Sequence, residues 1–362
     1  MICCEKCFKD AEIKGIIRSL KRKGDCETCR SKNAFIYDTN ENNELTDNFN
    51  HLLGIYTSVS SLPKEFPKEK LSLLKDTLKD KWNIFNIGSE WIYLLIRDIC
   101  KEKYEEDPEL FDSPVGILEM NESAELKAYS ILIDHNWDVF KEEIKTNNRF
   151  HKSYINTSAL EALFSYMEIN IEKGQKLYRA RISNQNGYPI AEMGAPPAGK
   201  SSSGRVNPEG INYLYLAAEN KTAISEVRAA AYDYVTVGEF ILEEDVTVVD
   251  FTEIDKISPF SGIDVLQLAI NIEHLNKINI EIAKPLRRND SPLEYLPTQY
   301  IADFIKSLQS KNGQRYAGIK YKSTLHMEGF NIAFFDEKLF KCTNALVYEV
   351  DKVDYRYQPL DE

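Results

Sequence analysis

Apolar positions in the first half of the chain recur at three- and four-residue steps. In the second half they alternate with polar ones. Leu71, Leu74, Leu78 and Trp82 fall on one helical stripe, with lysines and aspartates between them. Trp91, Leu94, Leu95 and Ile99 repeat the pattern over 89–103, and further helices are predicted over 124–145 and 158–172, the last closed by Gly174. Pro63, Pro67, Pro108 and Pro114 punctuate the turns, so 51–173 reads as an all-α domain. After Gly174 the period shortens, and strands are predicted over 175–182, 211–216, 236–242, 246–251, 318–321, 331–335 and 345–350. Helices intervene near 222–231, 263–280 and 298–310, which makes 174–362 an α+β domain. Two stretches break the pattern. Residues 38–50 are polar and aperiodic and read as a linker, and 194–210 (GAPPAGKSSSGRVNPEG) is too rich in glycine and proline for a regular element. A long loop inside a compact domain is more often functional than not.

Composition narrows the class. The 362 residues are 43% hydrophobic and 28% charged, with a mean hydropathy of −0.41, as expected of a globular protein of two to three domains. A net charge of −12 argues against a chain that coats nucleic acid. No apolar run reaches the roughly 18–20 residues of a membrane span, and the N-terminus lacks a secretory apolar core, so a cytoplasmic location is expected.

In that compartment seven cysteines are not expected to form structural disulfides. Cys4-Glu-Lys-Cys7 and Cys26-Glu-Thr-Cys29 make two C-x2-C pairs separated by 18 residues, the spacing of a four-cysteine zinc site over 1–37. A redox C-x-x-C would be single and sit at a strand-to-helix junction. Cys3 competes with Cys4 as ligand, while Cys100 and Cys342 read as small core residues. Lys14, Arg18, Lys21, Arg22 and Lys23, between the knuckles, either solvate the module or contact nucleic acid.

Candidate chemistry gathers in the second half. Arg179 and Arg181 flank Ala180 on a strand, Arg205 and Asn207 lie in a G-R-x-N-P-x-G turn, and Tyr213 and Tyr215 share a strand face. An arginine in a glycine-bounded loop suits a phosphate or pyrophosphate. Glu226 follows on the next helix. There is no G-x-G-x-x-G and no Walker loop.

Taken in order, L-Y-R-A-R (177–181), G-R-V-N-P-E-G (204–210), Tyr215, Glu226, G-I-K-Y-K-S (318–323) and N-I-A-F-F (331–335) resemble the RES domain over about 175–350. The upstream segment, with Arg149-Phe150-His151 near its end, resembles the HEPN-like domain that precedes some RES domains. The resemblance implies a fold like that of ADP-ribosyltransferases and a toxin or defence effector that consumes NAD+. Arg205 and Arg179 would then hold the pyrophosphate or its ribose, with Asn207 in the same loop, and Tyr215 would pack on the nicotinamide or its ribose. Glu226 would be the reacting carboxylate, Ser323 the remaining polar group and Asn331 a buttress. Val206 stands where the family motif favours an aromatic. No histidine in the helical segment follows an arginine at the spacing of a HEPN ribonuclease, so that segment reads as non-catalytic. His326 is left outside the site. The rival reading is a nucleic-acid-sensing or partner-docking protein whose RES-like domain only binds ligand. The partners considered are NAD+, an antitoxin or regulatory protein, nucleic acid at the zinc module and a second copy of the chain, but no membrane.

Overall fold

The computed structural model describes residues 1–121, 123–133, 136–150, 154–284 and 290–354. The chain divides into two compact units, Met1–His135 with Asp255–Ile272 and Asn136–Ile254 with Glu273–Glu362. These limits differ from the expected domains at 1–37, 51–173 and 174–362. The cysteine-rich segment shares a unit with the helices after it, and 136–173 belongs with the sheet.

In the first unit β1 (Ile2–Cys4), β2 (Lys23–Gly24) and β3 (Ala34–Asp38) form an antiparallel sheet in the order β1-β3-β2. The Ala11–Ser19 helix buries Ile13 and Ile17, and the Asp10 carboxylate caps it by accepting the Ile13 N–H. The expected linker at 38–50 is instead folded. Asp38 closes a turn by accepting the Asn40 N–H, and the Thr46–Leu53 helix buries Phe49, Leu52 and Leu53. Leu45, Phe49, Leu52 and Leu53 share one helical face, a spacing hidden by the surrounding asparagines and acids. Nor is 51–173 all α. β4 (Thr57–Ser58), β5 (Ser72–Leu73) and β6 (Pro114–Gly116) form a second small sheet, so the stripe begun at Leu71 becomes helical only from Leu74. The helix expected over 89–103 starts at Ser89 but ends at Ile99, and a separate helix follows over Lys101–Glu106.

The helix predicted over 124–145 is two helices, Ser123–Tyr129 and Trp137–Thr146. The second is started by Asn136, whose side chain accepts the N–H groups of Asp138 and Val139. His135 and His151 lie outside the described residues. The helix expected over 158–172 is shorter, Thr157–Phe164, and is followed by β7 (Glu168–Ile171).

β7 joins β8 (Lys176–Ser183), β9 (Leu214–Ala217), β10 (Tyr234–Leu242), β11 (Val246–Asp250), β12 (Gly318–Lys322), β13 (Phe330–Phe334) and β14 (Phe340–Glu349) in one sheet. Its order is β14-β10-β8-β9-β13-β12-β11-β7, with β11 and β12 parallel and the other neighbours antiparallel. Side chains alternate across it. Leu177, Leu214, Leu216, Ile332 and Phe334 build a core with Met193 and Phe240. Ala180, Ala217, Val235 and Val237 pack with Ala223, from the Asn220–Glu226 helix, in a second cluster. Cys100 is buried as expected, whereas Cys342 is half-buried on β14 at the sheet edge.

Candidate functional site

Register assembles the site. Tyr178 pairs with Ala217, Ala217 with Asn331, Asn331 with Tyr321, and Tyr215 with Ala333. Tyr215, Tyr321 and Asn331 therefore share one face across β9, β13 and β12. The short Asn220–Glu226 helix packs against β8, β9 and β10 through Ala223 and Ile224, and it delivers Glu226 as its last residue.

Three donors meet the Glu226 carboxylate. Oε1 accepts from Ser323 Oγ at 2.7 Å and from Asn331 Nδ2 at 2.7 Å, and Oε2 faces Arg205 Nη2 at 3.5 Å. Ser323 and Asn331 are buried, while the Arg205 and Glu226 side chains keep 12% and 21% of their surface, so the charged pair stays reachable from solvent. Burial works against the Arg205 charge, but the Tyr321, Glu226 and Tyr295 oxygens around it hold the guanidinium above its ordinary range. Ser323 Oγ accepts the N–H groups of Leu325 and His326, which directs its own proton to Glu226. Glu226, Arg205, Ser323 and Asn331, four residues singled out by the sequence, converge here.

Asn207 does different work from that expected of it. Its amide donates to the carbonyls of Ser202, Pro208 and Ile211, and its Oδ1 accepts the Tyr215 hydroxyl at 2.7 Å. It is 3% exposed, so it ties the 201–211 loop together instead of facing a ligand, and the Tyr215 hydroxyl is spent on it. A Cβ on Gly204 would stand 2.2 Å from Asn207 Oδ1 and 3.0 Å from the Tyr215 hydroxyl, so only glycine fits. Val206 is fully buried in the protein, not presented to a ligand.

Arg179 is not brought to Glu226. It stands one residue out of phase with Tyr178, on the Leu177 side of β8, and its guanidinium donates to the Met193 and Gly194 carbonyls. Burial and the neighbouring Arg181 push it down to about 10. Arg181 lies over the Tyr188 ring and donates to the Glu192 carbonyl. Both arginines brace the start of the long loop. Tyr213 turns to helix Leu296–Ser307, donating to Asp303 at 3.2 Å.

Sequence reasoning missed the residues under the loop. Gln299 Nε2 donates to Ser203 Oγ and to the Gly204 and Asn207 carbonyls, and Thr298 Oγ1 donates to the Arg205 carbonyl. The available signal was position. Thr298 falls on the same helical stripe as Ile301 and Ile305.

A second cluster lies in the first unit. The sulfurs of Cys4, Cys7, Cys26 and Cys29 all lie within 4.8 Å of one another, with Cys4–Cys7 at 3.9 Å, Cys4–Cys29 at 3.4 Å, Cys7–Cys26 at 3.5 Å and Cys26–Cys29 at 3.5 Å. A tetrahedral zinc with bonds of about 2.3 Å requires sulfur separations near ~3.8 Å, and the donor set is that of a structural site, so the group fits zinc. Cys3 is buried in β1 opposite Tyr37 and stands outside the group, which settles the choice in favour of Cys4. The hydrogen bond shared by Cys7 and Cys26 pushes Cys26 down to about 4 and Cys7 up, while burial raises Cys4 to about 12.

Residues 176–358 match the family model of the RES domain. The chain belongs to the RES domain family. The match covers β8 to β14, with Glu226, Arg205, Ser323 and Asn331 inside it. β7, the sheet's other edge strand, comes from before it. No curated protein and no solved structure matches the chain. RES domains are associated with NAD-related toxin function, which gives this chain an NAD-related enzymatic role at that coarse level. Among the described residues no helix is long and apolar enough to cross a membrane.

Proposed function

We propose that this RES domain consumes NAD+ by breaking the bond between nicotinamide and ribose. The observation that carries the reading is one carboxylate, Glu226, pinned by Ser323, Asn331 and Arg205 from three separate segments of the matched span. Loss of nicotinamide leaves an oxocarbenium-like ribosyl cation, as in glycoside hydrolysis, and a fixed carboxylate beside it stabilises that charge. Nicotinamide departs as a neutral base, so a second carboxylic acid is not required. Arg205 supplies positive charge for the pyrophosphate or its ribose. Tyr215, with its hydroxyl held by Asn207, offers its ring as a packing surface. Water as acceptor gives ADP-ribose and a proton, inorganic phosphate gives a phosphorylated ADP-ribose, and a protein side chain gives ADP-ribosylation. In this reading the fold is similar to the ADP-ribosyltransferases, and the protein acts as a toxin or defence effector.

Cys4, Cys7, Cys26 and Cys29 would hold a zinc ion that knits their segment together. The nucleic-acid reading of that module has less support. Arg18 pairs with Glu5, Arg22 with Glu41 and Lys32 with Asp25, so three of its basic side chains are engaged within the protein. The segment before the RES match is taken as a non-catalytic HEPN-like platform for an antitoxin or other regulator.

The test is NAD+ turnover by the purified full chain, with products identified by mass spectrometry, with and without phosphate. Glu226→Gln keeps the size of the side chain and is expected to abolish NAD+ loss with an unchanged far-UV spectrum. No NAD+ loss by the native protein, with phosphate and protein acceptors supplied, overturns the reading.

A further inference from the structure

Beyond the residues that touch Glu226, the loop between β12 and β13 makes a second grip on the same helix. Ser323 and Gly329 close it, with the Ser323 N–H donating to the Gly329 carbonyl at 3.0 Å and the Gly329 N–H to that of His326 at 2.9 Å. From inside this turn the His326 N–H donates to Ser323 Oγ at 3.1 Å, so His326 belongs to the set that aims the serine at the carboxylate. Its ring reaches the opposite end of the helix. Nδ1 lies 2.9 Å from Thr222 Oγ1 and 3.2 Å from Glu219 Oε1.

Four residues of helix at 1.5 Å each separate Thr222 from Glu226, about 6 Å along the axis. The packing of loop on helix is close. A Cβ on Gly329 would stand 2.2 Å from Thr222 Oγ1 and 2.8 Å from His326 Nδ1, so the loop lies directly on the first turn. The His326 ring is 11% exposed and its contacts use Nδ1.

We propose that His326 is a positioning residue. Through Nδ1 it clamps the N-terminal turn of the Asn220–Glu226 helix, while its backbone orients Ser323, so the Glu226 carboxylate is held from both ends of its helix. The kinetic consequence rests on the NAD+-cleaving reading; the clamp itself does not. A carboxylate displaced by a fraction of an ångström still permits substrate binding but meets the ribosyl cation less well, so the loss falls on kcat.

The side-chain chemistry supplies a discriminating series. In His326→Asn an amide replaces Nδ1 at the same distance from the backbone, whereas His326→Gln places its amide nearer the Nε2 position and His326→Leu removes the polar group. Purified full-length variants are expected to lose roughly tenfold or more in kcat for Gln and Leu, to stay within about threefold for Asn, and to keep KM for NAD+ within about twofold. Thr222→Val is expected to shift kcat in the same sense, and by little when added to His326→Gln, because both remove one contact. Amide hydrogen exchange gives a readout that needs no turnover. Segments 219–226 and 323–329 should exchange faster in His326→Gln and as in the native protein in His326→Asn. Unchanged exchange and kcat in Gln and Leu, an Asn variant as impaired as Gln, or a loss confined to KM overturns the proposal. If exchange behaves as expected but the native protein consumes no NAD+, the clamp stands and the reading of the reaction fails.

Discussion

Glu226 occupies the last residue of its helix, the end whose free carbonyls disfavour an anion. The three donors around it offset that penalty, and each is a separate mutational handle. Ser323→Ala removes one charge-assisted hydrogen bond and leaves the N–H groups of Leu325 and His326 without their acceptor. We expect kcat for NAD+ to fall by roughly 10- to 100-fold, with KM less affected, in steady-state assays. Asn207 has the opposite character. Asn207→Leu strands three carbonyls and a tyrosine hydroxyl in a buried loop, and should cost about 2–4 kcal/mol in denaturant unfolding, since each unpaired buried group carries its own penalty. Gly204→Ala should be similarly disruptive, because its methyl would collide with Asn207 Oδ1. At this scale the sequence was informative about residue type but not about direction. Arg205, Asn207 and Arg179 all looked like ligand-facing groups. Arg205 reaches Glu226, Asn207 turns inward to the loop carbonyls, and Arg179 falls on the other side of its strand from Tyr178.

Elements decide how firmly those residues are held. The G-R-V-N-P-E-G loop has no ladder of its own and is fastened from below by Thr298 and Gln299 on the Leu296–Ser307 helix. Gln299→Leu preserves the helix and removes three of those hydrogen bonds. It should leave far-UV circular dichroism unchanged, speed proteolytic cleavage within 199–210 and raise KM for NAD+ several-fold through a less fixed Arg205. Undiminished protease resistance would show that the loop is held by other contacts. The strands after Gly174 were largely legible, since apolar alternation with β-branched and aromatic residues has no good helical reading. β7 escaped notice because Glu168–Ile171 continues an apolar helical stripe from Phe164 and Met167, and four residues cannot separate the two periods. The turn and helix within 38–53 were hidden for a different reason. Polar residues dominate their exposed side, so the four buried apolar positions stood out only once packed.

For the whole molecule, the zinc cluster is the feature most open to test. Metal analysis of the purified chain should give one zinc per molecule, and Cys26→Ser should lose it. Chelation is expected to lower the melting temperature of the first unit, because ligand binding energy is folding energy in such sites. Acid should act in the same direction. Cys4 and Cys7 are raised, so binding zinc as thiolates releases their protons to solvent. Acidification returns those protons and should release zinc, which a colorimetric chelator titrated from pH 8 downward would record.

The sequence by itself determined the two C-x2-C pairs and most of the strands of the second half, and its resemblance to the RES domain pointed to the residues that meet at Glu226. These are set by local spacing, by side-chain period and by residue type, all of which are written along the chain. The tertiary structure decided the rest. It placed Cys3 outside the metal group, recruited β7 to the sheet edge, turned Asn207 and Arg179 away from Glu226, and brought Gln299 and His326 beneath and beside the site. Each of these depends on strand register or on contacts between residues far apart in sequence. A shift of one residue reverses the face a side chain presents, and no local pattern records which distant backbone groups a polar side chain will satisfy.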